Sequence, residues 1–79
     1  MKVYIVLCTN EDAWVSIVGV YATVERAEVA MDVDRKNTSE SLEQEGYVVS
    51  TGRDEDGAII KYGNGHFYRY TIKAEEVRK

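Results

Sequence analysis

The sequence predicts an α+β domain: an antiparallel β-sheet of four to five strands with one α-helix packed on one face, in the order β-β-α-β-β-β. Three observations carry this expectation. Runs rich in β-branched and aromatic residues recur at 3–8, 14–21, 47–50, 58–62 and 66–73. Between the second and third runs the apolar period changes from 2 to about 3.6. Clusters of glycine, asparagine and aspartate separate the later runs. Seventy-nine residues without repeat or linker make a single domain, 1–79.

The first run, Val3 to Cys8, is apolar in both alternating sets: Val3, Ile5, Leu7 and Tyr4, Val6, Cys8. That is the pattern of a central strand covered on both faces. Thr9-Asn10-Glu11-Asp12 is turn chemistry, and Trp14 to Tyr21 forms the second strand, where Gly19 marks a bulge or a close approach. Thr23 is a helix N-cap, and Glu25 in the first turn suits the helix dipole. Val24, Ala27, Ala30 and Met31 share the stripe expected to face the sheet, with the two alanines small enough for close approach. Asp32 can reach Lys36 one turn on, whereas Val29 and Val33 fall off the stripe.

Residues 37–46 are polar except Leu42, so the helix is expected to cover 24–36, to end or break near Asn37, and to give way to a short turn closed by Gly46. Gly52 to Gly57 reads as a turn, and Gly63-Asn64-Gly65 as a hairpin, because these residues tolerate positive φ. The first and last strands are expected to be neighbours near the middle of the sheet.

Composition excludes several chemistries. Fourteen acidic residues against ten basic ones give a net charge of −4, with no basic cluster longer than Arg35-Lys36, which disfavours nucleic acid and anionic membranes. Cys8 has no second cysteine to pair with and reads as a buried strand residue. No stretch is long and apolar enough to span a membrane, and the chain opens on a strand-like run rather than a leader, so a cytoplasmic protein is expected.

Asp54-Glu55-Asp56-Gly57 resembles the start of a calcium loop, but Gly63 stands where the closing glutamate belongs, so a hairpin turn is the better reading. His66, the one histidine, reads as a strand residue after a turn. The glycines match no phosphate-binding loop. Were the chain an enzyme, Asp54, Asp56 and His66 would have to converge. The expectation is no enzyme, no metal and no cofactor.

The aromatics are the most informative set: six tyrosines, Trp14 and Phe67. Most fall in predicted strands, and one helix cannot cover both faces of a four- or five-stranded sheet. Tyr4, Trp14, Tyr62, Tyr68 and Tyr70 are therefore the candidates for an uncovered, partner-binding face. Glu25, Glu28 and Asp32, continued by Glu40, Glu43 and Glu45, could form an acidic ridge for a basic partner.

Three segments carry a family resemblance: Met1 to Val6, the Val-Gly-Val-Tyr-Ala-Thr-Val-Glu-Arg-Ala-Glu-Val-Ala of 18–30, and Tyr70 to Val77. They resemble a group of small uncharacterised bacterial and phage proteins with a hairpin, a GVY-(S/T)-x-E-x-A approach into a helix and a C-terminal strand. The likeness covers the first 31 and last 10 residues, and 37–46 and 52–66 depart from it. It implies a fold and a phage or mobile-element origin, and no catalytic residue. The expected function is a non-enzymatic protein-interaction module, with a phage-encoded inhibitor of a host or defence protein among its forms. The alternative is a small-ligand or nucleotide-binding module with its site at a homodimer seam. Self-association through the open face or an edge strand is expected.

Overall fold

The structure is a computed structural model that describes residues 1–54 and 57–78, apart from the side chain of Asp54. The strands are β1 (Lys2–Asn10), β2 (Val15–Tyr21), β3 (Val49–Asp54), β4 (Gly57–Tyr62) and β5 (His66–Glu76), and one helix, α1 (Val24–Gln44), follows β2. All pairings are antiparallel, in the order β2-β1-β5-β4-β3. The expected α+β class and element order hold, and the first and last strands are central partners from Lys2↔Glu76 to Asn10↔Tyr68.

The helix departs from expectation. It does not break at Asn37 but runs unbroken to Gln44, with Ala27, Met31, Ser39 and Leu42 buried. Its length follows from topology. β2 and β3 are the two edges and run in the same direction, so their connection must cross the sheet corner to corner. Five strands about 4.8 Å apart and about 22 Å long give a diagonal of about 29 Å. Twenty-one helical residues, each rising about 1.5 Å, span about 31 Å. A helix ending at Asn37 would stop short of β3.

Its ends are closed by local chemistry. Thr23 accepts a bond from the Arg26 amide at 3.2 Å. At the other end Gly46 takes φ 97°, its amide donates to the Glu43 carbonyl at 3.0 Å, and the Tyr47 amide donates to the Leu42 carbonyl at 3.1 Å. This is a Schellman closure, which needs a residue at ease in the left-handed region.

The core lies between α1 and one face of the sheet: Val6, Ala27, Met31, Leu42, Ala58, Ile60 and Tyr70. The inward stripe 27-31-34-38-42 carries two polar residues, Asp34 and Thr38, in its middle. Tyr70 explains them. It is 1 % exposed on the central strand, and its hydroxyl donates to Asp34 Oδ2 at 2.6 Å with Thr38 Oγ1 3.3 Å away. Burial, and then the bond to Asp34, push the Tyr70 hydroxyl pKa well above its ordinary value. Asp32 does not pair with Lys36 as expected. It bonds Arg53 of β3 at 2.7 Å and Arg35 at 3.3 Å.

Among the described residues no helix is long and apolar enough to cross a membrane. Replacing Tyr70 with Phe is expected to lower stability by about 1–3 kcal/mol, because Asp34 loses its buried donor. Urea unfolding of the variant should show a reduced midpoint at unchanged slope.

Candidate functional site

Side chains alternate across a strand, so the registers sort the sheet into two faces. Tyr4, Val6 and Cys8 of β1, Tyr68, Tyr70 and Ile72 of β5, Ala58, Ile60 and Tyr62 of β4, and Val49 of β3 pack under the helix. The other face carries Val3, Ile5 and Leu7 of β1, with Val15, Ile17 and Val20 of β2 beside them. Among the described residues no helix or strand lies over it.

The placement of the tyrosines is corrected. Tyr4, Tyr62, Tyr68 and Tyr70 lie on the helix side, and Tyr70 is buried. The reason is chemical: a tyrosine ring can be buried once its hydroxyl has a partner. Asp34 and Thr38 supply that for Tyr70, and Tyr62 and Tyr68 pair with each other. Tyr62 and Tyr68 stack at 5.5 Å, and their mutual hydrogen bond, aided by burial, pushes the Tyr62 hydroxyl pKa well upward. Tyr47 meets Tyr62 edge-on at 5.2 Å, and the His66 ring stacks on its other side at 5.2 Å. The uncovered face is aliphatic instead. Of the aromatic candidates only Trp14 stands out in solvent, at 72 % exposure.

A bulge decides which β2 residues face outward. Val6 pairs with Gly19 but Leu7 with Ile17, so Val18 is the extra residue. The shift turns Val18 toward the core and leaves Ile17 and Val20 together on the open side. Gly19 fits the expected close approach: a Cβ there would sit 2.7 Å from Cζ of the Tyr21 ring. Just before β2, Asn10 Oδ1 accepts from the amides of Asp12 and Trp14, and Ala13 is held at φ 63°, an unfavourable region for a side chain. This turn holds Trp14 at the head of the aliphatic strip.

Charges are segregated. The described charged side chains of the open face, Lys61, Arg69, Lys73 and Glu75, all stand on β4 and β5 by register. The strip on β1 and β2 has none. Of the acidic candidates, Glu28 and Asp32 are engaged by Arg53, at 3.7 and 2.7 Å, and so serve to tie the helix to β3. Glu25 is exposed beside a shallow depression lined by Tyr21, Arg26, Val29 and Ala30.

His66 meets Glu11. Its Nδ1 lies 2.6 Å from Glu11 Oε1, which joins the tips of the β1–β2 and β4–β5 hairpins. Beside it a hollow of about 460 Å³ is lined by Val48, Lys61, Tyr62, His66 and Phe67 among others. The calcium-loop candidate, Asp54-Glu55-Asp56, falls outside the described residues and side chains. Among the described residues no cluster of His, Cys, Asp and Glu could hold a metal ion. Cys8 is half-buried opposite Tyr70 in the register, and burial raises its thiol pKa, which keeps it in the unreactive form.

Fold and surface together define a two-layer α+β domain whose bare sheet face is aliphatic over β1 and β2. The chain belongs to the family Domain of unknown function (DUF7336), whose model matches residues 1–78 and so takes in the 37–46 and 52–66 segments. No curated protein and no solved structure matches it.

The hydrogen bond from His66 holds the Glu11 carboxyl below its ordinary 4.5. A lowered folded-state value means that the contribution to stability is present above the ordinary carboxylate value and lost as pH falls through the folded one. In a carboxyl NMR titration Glu11 should therefore show a midpoint below 4.5, returning toward it in His66→Ala.

Proposed function

We propose that this domain is a non-enzymatic protein-interaction module whose binding surface is the aliphatic strip of β1 and β2. One observation carries the reading. Val15, Ile17 and Val20 are 57, 68 and 55 % exposed on neighbouring positions of a face that none of the described elements covers. Single exposed aliphatics are ordinary, but a contiguous bare patch is a recognised mark of an interface. Trp14, 72 % exposed at the end of the strip, is the residue type most often found to anchor such contacts. The flat face and the small chain favour contact with a surface over enclosure of a substrate.

A photo-crosslinking amino acid at Ile17 is expected to give a discrete adduct in lysate of the source cells. The same group at Glu40, on the outer side of the helix, should give none. Equal adducts at both positions, or none at either, would overturn the reading.

The hollow beside His66 favours a second reading, a small-ligand module. Its volume of about 460 Å³ falls in the range usual for ligand pockets, and Lys61, His66 and Phe67 offer charge and a stacking surface. A nucleotide binding there should raise the melting temperature in proportion to its saturation. Unchanged melting across a millimolar nucleotide panel would remove this reading.

A further inference from the structure

We infer that the partner of the aliphatic strip is a second copy of this chain, packed sheet on sheet to give an α-β-β-α dimer centred on Ile17. This rests on the interaction reading above and names its partner.

The first support is an area. The chain exposes 5620 Å² at a mass of 9.0 kDa. A folded monomer of that mass exposes about 4850 Å² by the usual surface-to-mass scaling. The excess, roughly 770 Å², matches the share of about 800 Å² that one partner buries in a standard interface.

The second support is charge. Each copy carries −4, so two copies repel wherever their acids meet. Those of the helix, Glu25, Glu28, Glu40 and Glu43, are exposed on the side of the molecule away from the strip. The outward side chains of β1 and β2 are Val3, Ile5, Leu7, Thr9, Val15, Ile17 and Val20, without a charge among them. Depletion of charge at the centre marks interfaces in general, and those between identical chains are the more apolar. Packing at the usual sheet separation of about 10 Å would place both helix layers, and most of the acid, on the outside.

The helix offers the competing apolar pair, Val29 and Val33, 64 and 54 % exposed. They stand among Glu25, Arg26, Asp32 and Lys36 and so lack the neutral surround of the strip.

Multi-angle light scattering on the full chain at about 200 μM tests this. The wild type is expected at twice 9.0 kDa. Ile17→Lys is expected at the mass of one chain, with association weakened at least 100-fold and the far-ultraviolet circular dichroism unchanged. Val29→Lys should remain dimeric. The melting temperature of the wild type should rise with concentration, and that of Ile17→Lys should not. A wild type that scatters as a single chain, or a dimer that survives Ile17→Lys, overturns the inference. The adduct at position 17 separates this from failure of the broader reading. An adduct of two chains supports the dimer; a foreign adduct overturns the self-partner while the interaction reading stands; no adduct removes both.

Discussion

The hydroxyl of Tyr70 is the constraint around which this domain is arranged. It rises from the central strand into the packed layer beneath the helix, so it needs a partner on the helix directly above. That requirement sets the helix register: Asp34 and Thr38 must face inward, and Met31 and Leu42, on the same stripe, follow. It also sets the depth of packing, since the small Ala27 lets the backbone approach and leaves room for a ring. Buried polar contacts of this kind favour one alignment over its neighbours, because a shift by one residue would strand an acceptor and a donor together.

Much of the fold was legible in the residues. The positions of four of the five strands, the Thr23 cap, the closing role of Gly46, the bulge beside Gly19 and the central pairing of first and last strands all follow from local chemistry. The third strand, by contrast, lies at Val49–Asp54 rather than 47–50 and runs through Gly52, read from sequence as the start of a turn. The length of the helix did not follow, because Asn37 to Ser41 look like a break. Their meaning comes from the far side of the molecule: a tyrosine thirty-two residues on from Thr38 needs oxygen atoms, and an edge strand must be reached. The inward period carried the clue, since 34 and 38 continue the stripe of 27 and 31 with polar residues.

The bare face was anticipated, but its lining was not. β1 is apolar on both sides, so the pattern alone does not say which set the helix covers. Tyrosine passes for a surface residue in composition-based reasoning. Here the Tyr70 hydroxyl finds an acceptor and the other strand tyrosines pack beside it under the helix, leaving the simple aliphatics for the open side. The acidic ridge was legible as a ridge, but the use of Glu28 and Asp32 by Arg53 depends on a strand that sequence spacing places too early.

The central position of β5 has a consequence for the order in which the chain can be assembled. The N-terminal hairpin with its helix, and the β3–β4 hairpin, share no strand pairing with each other. By strand pairing each reaches the other only through His66–Glu76, which slots between them. During synthesis the two halves must wait, joined by the helix alone, with the underside of β1 unroofed by any neighbour on its β5 edge. Closure spans residues far apart in sequence, so it is expected to be the slow, cooperative event, and a chain stopped before Tyr68 would leave two hairpins with no strand between them.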